Sequence, residues 1–173
     1  ATQSVKPAAS GGCTSTPAAT AGETTVDLSI AGLDGTYIRH LPPAYDGTTP
    51  LPLVLVLHGW SQPAALVGLE SDMPTFADNH RFIAVMPDIT RPTPLWDTAV
   101  DGNDMKWITG LLDELESTLC IDTNRVHVTG MSNGAMMTSS IACALADRVA
   151  SVAPVAGVRI PDDCGQPARP VPV

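Results

Sequence analysis

A serine flanked by two glycines gives the chain the pattern G-x-S-x-G, at Gly130, Ser132 and Gly134. The alternating residues Val126 and Val128 predict a strand before this pattern, and the small apolar residues after it predict a helix. A strand that delivers a serine to a tight turn before a helix is the layout of a nucleophile elbow, whose serine hydroxyl attacks a carbonyl carbon. Glycine is favoured on both sides because a Cβ there would collide with the neighbouring strand and helix. The alternative interpretation is an ordinary Gly/Ser turn between a core strand and a core helix.

The elements around this turn follow the order of an α/β fold with a mainly parallel sheet and helices on both faces. Two alternating runs, Thr24–Ile30 and Thr36–Leu41, predict an antiparallel hairpin at the start. The continuous apolar run Leu51–His58 predicts a central strand that is covered on both faces. Further helices are predicted at 64–80, 104–119 and 132–146, and further strands at 82–86, 126–131, 149–155 and, just beginning, 171–173.

Composition excludes several classes of function. The chain has 173 residues, of which 44% are hydrophobic and 16% charged, as expected of one globular domain with a lightly charged surface. A formal net charge of −9 and the lack of a basic patch argue against a nucleic-acid partner. No apolar run approaches the roughly 18 residues that a membrane span needs. The sequence begins at Ala1 without an apolar signal core, so we expect that a signal peptide has already been removed if the protein is exported.

The first 23 residues are rich in Ala, Thr, Ser and Pro, which predicts a flexible tether over 1–23 ahead of a domain over 24–173. Four cysteines lack the C-x-x-C spacing of zinc sites, and their even number favours two disulfides in an exported protein over four buried thiols in a cytosolic one. Because the predicted helix after Ser132 carries Cys143 back to the sheet end where Cys120 lies, we expect the pairs Cys120–Cys143 and Cys13–Cys164.

Four stretches together resemble the secreted polyhydroxybutyrate depolymerase-like esterases, a group that is similar to feruloyl and acetylxylan esterases. They are PLVLVLHGWSQ (52–62), DGNDMKWITGLLDEL (101–115), CIDTNRVHVTGMSNGAMM (120–137) and ADRVASVAPVAG (146–157). The resemblance covers about residues 24–173 and implies an α/β-hydrolase-type three-layer sandwich that is incomplete at its C-terminal side. It also implies a serine esterase without metal or cofactor.

Carried over by position, the resemblance implies that Ser132 is the nucleophile and that the backbone N–H groups of Trp60 and Asn133 form the oxyanion hole. Two donors aimed at the developing oxyanion each lower the barrier by roughly 3 kcal/mol. Met131 and Trp96 are expected to line a substrate pocket, although Trp96 has an equally good alternative as an anchor for its loop. Structural support of the site is expected from His58, Gly59, Gly130 and Gly134.

The proton acceptor for the serine is missing from the expected place. In this fold the nucleophile is followed by an acid and then by a histidine, but all four histidines precede Ser132. Three explanations compete: a fragment of a longer protein, a cleaved protein whose second polypeptide segment supplies Asp and His, or a protein that has lost catalysis. Asp147 lies too close to the elbow helix to be the acid, and Asp162 and Asp163 are outside candidates.

These observations predict an exported esterase that cleaves polyhydroxyalkanoate-type polyesters or their oligomers through an acyl-enzyme. The first alternative changes the substrate to feruloyl or acetyl esters on plant polysaccharide. The second alternative is a non-catalytic hydrolase relic that binds a carbohydrate or polyester. An ester substrate is the expected partner, with neither nucleic acid nor a membrane span.

Overall fold

Six strands form one mixed sheet at the centre of the structure, a computed structural model that describes residues 6–14 and 19–173. The strand order is β1-β2-β4-β3-β5-β6. Both β1/β2 and β2/β4 pair antiparallel, whereas β4/β3, β3/β5 and β5/β6 pair parallel. The strands are β1 (Gly22–Ile30), β2 (Leu33–Leu41), β3 (Leu51–Leu57), β4 (Ile83–Ile89), β5 (Ile121–Met131) and β6 (Ser151–Val155). The predicted mainly parallel sheet with an antiparallel N-terminal hairpin is confirmed.

The hairpin is tighter than the sequence predicts. Its loop consists of Ala31 and Gly32, which both have positive φ, at 54° and 78°. Two central residues with positive φ match the right-handed twist of the flanking strands, so a two-residue loop is sufficient. Consequently Leu33 pairs with Ile30, and β2 begins three residues before the predicted start at Thr36.

Helices cover both faces of the sheet. They are α1 (Ala64–Ser71), α2 (Met73–His80), α3 (Asn103–Thr118) and α4 (Asn133–Ala144). Leu53, Leu55 and Leu57 of β3 lie in the larger core cluster with α3 and α4, whereas Val56 belongs to the smaller cluster beneath α1 and α2. The predicted helical segment 64–80 is divided into two helices because Asp72 adopts a left-handed conformation with φ 50°.

The N-terminal segment is attached to the domain where the sequence predicts a flexible tether. Gly11–Thr14 form a short 3-10 helix, and Ser10 Oγ donates to Leu119 O at 2.6 Å and accepts from Ile121 N at 2.9 Å. Ala8 N donates to Asp122 Oδ1 at 3.0 Å. The tether predicted over 1–23 therefore does not apply to residues 6–14. Residues 1–5 and 15–18 of that prediction lie outside the described residues.

The two disulfides join Cys13 to Cys120 and Cys143 to Cys164. The expected pairs Cys120–Cys143 and Cys13–Cys164 are therefore wrong, although all four cysteines are bonded as predicted. The N-terminal segment lies along the start of β5 and brings Cys13 to Cys120. The loop after β6 returns over α4 and brings Cys164 to Cys143.

The C-terminal residues lie beside β6, and a separate observation concerns the helices as possible membrane spans. The predicted strand at 171–173 is not formed as a regular strand, but Val152 N of β6 donates to Pro172 O at 2.9 Å, so this segment lies beside the sheet edge. Across 6–14 and 19–173, the helices are too short or too polar to span a lipid bilayer.

Candidate active site

Ser132 lies at the junction of β5 and α4 in a rarely occupied backbone conformation, with φ 54° and ψ −116°. Non-glycine residues adopt such angles only where the surrounding structure enforces them, most often at functional sites. Here Ser132 N donates to Val155 O at the end of β6, at 2.9 Å, and Ser132 O accepts from Met136 N at 3.1 Å. The neighbouring strand and the first turn of α4 together hold the serine at the tip of the turn, as the sequence predicts.

Glycines allow the backbone segments around the serine to approach closely. A Cβ at Gly130 would lie 2.6 Å from Gly134 O, and one at Gly134 would lie 2.4 Å from the carbonyl oxygens of Leu57 and His58. These distances support the steric reason for a glycine at both positions. Gly157 has the same role, because its Cβ would lie 2.4 Å from Ser132 O. This third glycine was not predicted as a site residue from the sequence, although it ends the APVAG stretch.

The turn after β3 lies directly beside the serine. A Cβ built at Gly59 would lie 3.7 Å from Ser132 Cβ. His58 O accepts from Trp96 Nε1 at 3.1 Å, and Gly59 O accepts from Gln62 N at 3.2 Å. Within the described part of the chain, no acceptor is assigned to the N–H of Trp60, whose side chain is 68% exposed. The turn therefore presents one unpaired backbone donor near Ser132.

Asn133 supplies a second backbone donor and also anchors a distant loop. As the first residue of α4, its N–H has no acceptor within the helix. Its side-chain Oδ1 accepts from Trp96 N at 2.7 Å, and its Nδ2 donates to Trp96 O at 3.2 Å. Asn133 thus fixes the loop between β4 and α3 against the elbow.

Trp96 serves as that loop's anchor and does not form an open pocket wall. Its side chain is 2% exposed, and its ring lies 4.7 Å from the His58 ring, centroid to centroid. Of the two interpretations left open by the sequence, the contacts therefore favour the anchor. Met131, by contrast, is 41% exposed and lines a cleft of about 200 Å³ with Val56, Val67, Met73 and Val155.

Each of the four histidines has a partner other than Ser132. His58 is buried; its Nδ1 donates to Gly59 O at 2.8 Å and its Nε2 lies 3.4 Å from Asp88 Oδ1. Nδ1 therefore supports the turn, and Nε2 faces the end of β4, as expected for a structural role. His40 pairs with Asp78 at 2.7 Å, and the ring of His80 packs on Phe76.

His127 is also removed from the serine by its position in β5. Five residues at about 3.3 Å each place it roughly 16 Å before Ser132 along the strand. Its Nδ1 lies 2.8 Å from Ser151 Oγ. Burial, together with the nearby Arg125 guanidinium, lowers the pKa of His127. It is half-buried on the sheet.

Asp163, one of the acidic residues after Ser132, is bonded to a backbone group of another loop. Asp163 Oδ2 accepts from Val100 N at 3.0 Å, which ties the loop after β6 to the loop before α3. The described residues contain no group of three or more His, Cys, Asp or Glu side chains arranged to hold a metal ion. The geometry of residues 6–14 and 19–173 thus provides a strained serine and two backbone donors, but no group positioned to accept the serine proton.

Solved structures of esterases share this architecture. An acetyl xylan esterase from Aspergillus awamori superposes with a TM-score of 0.65 at 19% identity, covering 75% of this chain and 50% of that chain. A poly(3-hydroxybutyrate) depolymerase from Bordetella parapertussis superposes with a TM-score of 0.60 at 19% identity, covering 77% and 51%. The chain has the α/β-hydrolase fold.

The curated relatives that match the chain are named esterases and a depolymerase. Feruloyl esterase D from Neurospora crassa is 30% identical over 164 residues, which are 88% of this chain and 55% of the relative. A bifunctional acetylxylan esterase/xylanase from Neocallimastix patriciarum is 31% identical over 123 residues, 70% of this chain and 18% of the relative. A poly(3-hydroxyalkanoate) depolymerase C from Paucimonas lemoignei is 30% identical over 128 residues, 69% and 30%.

The predicted resemblance to the depolymerase-like and feruloyl esterase-like α/β-hydrolases is confirmed by these relatives. The chain spans from 18% to 55% of the length of the curated relatives that it matches. No protein-family model matches it.

Proposed function

We propose that this chain is the nucleophile-bearing part of an extracellular serine esterase that hydrolyses carboxylic esters through an acyl-enzyme. The observation that carries the proposal is the backbone of Ser132, held at φ 54° and ψ −116° between β5 and α4. Strain of this kind is maintained by Gly130, Gly134 and Gly157, whose missing side chains let three segments meet at the serine. The esterase and depolymerase names of the curated relatives support the same reaction class.

In this proposal Ser132 Oγ attacks the ester carbonyl carbon and the carbonyl oxygen becomes an oxyanion. The N–H groups of Trp60 and Asn133 donate to that oxygen, where negative charge develops. The C–O bond to the alcohol then breaks, and water later hydrolyses the acyl-serine ester. A histidine oriented by an acid takes the serine proton and gives it to the leaving alcohol. We assign this histidine and this acid to residues other than the 173 of this sequence. They would lie on the same polypeptide or on a second polypeptide segment.

The substrate we favour is a hydroxyalkanoate polyester or its oligomers. The cleft beside Met131 supports this choice because its lining is mainly apolar, with Gln62, Glu70, Ser71 and Thr129 as its polar members, and it begins one residue from Ser132. Feruloyl or acetyl esters on plant polysaccharide are the second candidate, favoured by the names of two of the curated relatives. The two disulfides support an extracellular location, because such bonds persist in oxidising compartments.

An active-site phosphonate tests the nucleophile. We expect a fluorophosphonate to label the folded full-length protein with one adduct per chain, mapped by mass spectrometry to the peptide that contains Ser132. Ser132→Ala should remove the adduct and ester hydrolysis together, because the strained turn positions this one hydroxyl for attack. Ser139→Ala is the matched control, because this hydroxyl lies on the same helix and donates to Ala135 O. A folded full-length protein that gives no adduct would instead favour the non-catalytic relic.

Substrate preference is tested by comparing kcat/KM for hydroxybutyrate trimers and for methyl ferulate. We expect the trimers to be preferred by at least tenfold, because a mainly apolar cleft of about 200 Å³ suits a short branched acyl unit better than a rigid aromatic one. Met131→Glu should reduce this preference by placing a second carboxylate, besides that of Glu70, at the cleft wall. A preference for methyl ferulate would support the second candidate.

A further inference from the structure

We infer that Gln62 is a positioning residue for the oxyanion hole and that Glu70 fixes the orientation of the Gln62 side-chain amide. The inference rests on the proposed esterase function and extends it to two residues outside the elbow. Neither side chain contacts Ser132. Both act through the turn that contains Gly59 and Trp60.

Gln62 binds the turn through its side chain. The side chain is buried, with 7% of the residue exposed, and its Oε1 accepts from Gly59 N at 2.8 Å. Its Nε2 donates to Glu70 Oε2 at 2.6 Å. A buried amide with both of its ends hydrogen-bonded is held in a single geometry, and leaving either end unpaired would be unfavourable.

Gln62 also binds the turn through its backbone. Gln62 N donates to Gly59 O at 3.2 Å, and His58 Nδ1 donates to the same oxygen at 2.8 Å. Gly59 O and Trp60 N–H belong to one planar trans peptide, so they point in opposite directions. Fixing the carbonyl therefore fixes the direction of the N–H that we assign to the oxyanion hole.

The opposite side of Trp60 is fixed independently. Ser61 N donates to Pro94 O at 2.8 Å, and Ser61 has a left-handed φ of 58°. The turn is thus held at Gly59 by Gln62 and at Ser61 by the loop after β4. Loss of the Gln62 side chain would remove the acceptor of Gly59 N and so loosen the turn on this side, while the backbone hydrogen bonds to Gly59 O and from Ser61 N would remain.

Glu70 determines which end of the Gln62 amide faces Gly59. A carboxylate only accepts hydrogen bonds, so the amide NH₂ must point toward Glu70. The amide oxygen is then left for the Gly59 N–H. Without Glu70, the amide could rotate by 180° and place its NH₂ against another N–H donor. Glu70 is exposed on α1 and contributes little to the core, so its substitution is compatible with folding.

The test uses the ester-hydrolysing full-length protein, with active sites counted by phosphonate titration. For Gln62→Leu we expect turnover per titrated site to fall about 30-fold, because the oxyanion contact is misplaced. Gln62 also lines the cleft beside Met131, so KM is measured separately to detect any change in substrate binding. The affinity for a trifluoromethyl ketone, which forms a tetrahedral adduct, should fall by a similar factor. A merely structural role would lower the number of titrated sites and leave turnover per site unchanged.

A side-chain exchange supplies the matched control. In the double variant Gln62→Glu/Glu70→Gln, the carboxylate introduced at position 62 can accept from both Gly59 N and the amide introduced at position 70, so both hydrogen bonds are retained. We expect its turnover per site to be within about threefold of wild type, whereas Gln62→Glu alone, with two carboxylates facing each other, should resemble Gln62→Leu.

If Gln62→Leu yields no titratable protein, Glu70→Ala takes over the test, with an expected loss of about fivefold in turnover per site. Turnover within twofold of wild type in Gln62→Leu, or in Glu70→Ala where Gln62→Leu cannot be titrated, would overturn the inference. Hydrolysis that persists in Ser132→Ala would instead overturn the proposed function, so the two failures are distinguishable.

Discussion

Gly134→Ala is expected to destabilise the protein by about 3 kcal/mol or more and to abolish labelling of Ser132. The added Cβ would lie 2.4 Å from two backbone carbonyl oxygens, those of Leu57 and His58. Neither oxygen can rotate away as the end of a side chain could, because both belong to the backbone at the end of a central strand. Relief therefore requires α4 to move away from β3, which would displace the N–H of Asn133.

Whether Gly134→Ala lowers or raises the free energy of unfolding shows whether the steric clash or helix propensity dominates. Alanine in a helix is more favourable than glycine by up to about 1 kcal/mol, so propensity alone predicts that Gly134→Ala stabilises the protein. Gly68→Ala in α1 is the matched control, because its Cβ would meet only the flexible Met86 side chain, at 3.2 Å from Cε. We expect this control to be neutral or stabilising by up to about 1 kcal/mol. Urea unfolding followed by circular dichroism checks both variants. A stabilised Gly134→Ala protein would contradict the close approach of α4 to β3.

Local patterns are sufficient to predict most of the sheet and the strained turn at Ser132. The unbroken apolar run in β3 and the three- and four-residue spacing in α3 each depend on neighbours in the chain, so their periods are visible in the sequence. The elbow was predictable for a similar reason, since Gly130 and Gly134 flank Ser132 within two residues. The implied oxyanion donors, Trp60 and Asn133, do lie on the two segments that meet at the serine.

The supports of the site were not predictable because they join residues that are distant in sequence. The hydrogen bonds between Asn133 and Trp96 span 37 residues, and nothing in either local pattern indicates that they meet. The same limit explains the wrong disulfide pairs. The position of Cys143 at the far end of α4 was inferred from helix rise alone, which does not indicate the side of the helix that faces Cys120. The composition of the N-terminal segment also gives no indication that Ser10 binds the domain, where its hydroxyl bridges Leu119 and Ile121.

Removal of the disulfide between Cys13 and Cys120 is expected to destabilise the protein by about 5 kcal/mol, the largest effect of any substitution proposed for this chain. The bond closes a loop with a sequence separation of 107, and a crosslink of that span strongly restricts the unfolded chain. The Cys143–Cys164 bond has a separation of 21, for which the same relation gives about 3 kcal/mol. Replacing each pair by alanines should therefore reveal a difference of about 1.5 kcal/mol in urea unfolding.

The stabilities of the double-alanine variants can be interpreted only if the disulfide pairing is known. Non-reduced tryptic mapping separates the four cysteines, since cleavage after Arg39, Lys106, Arg125, Arg148 and Arg159 places each on its own peptide. We expect the peptide with Cys13 to be joined to the one with Cys120.

If Cys120 were joined to Cys143, the loops would instead span 23 residues (143 − 120) and 151 residues (164 − 13). The Cys120→Ala/Cys143→Ala variant would then remove a single crosslink. With the pairs Cys13–Cys120 and Cys143–Cys164, that same variant breaks both crosslinks and should be less stable than either paired variant, because each crosslink restricts the unfolded chain separately.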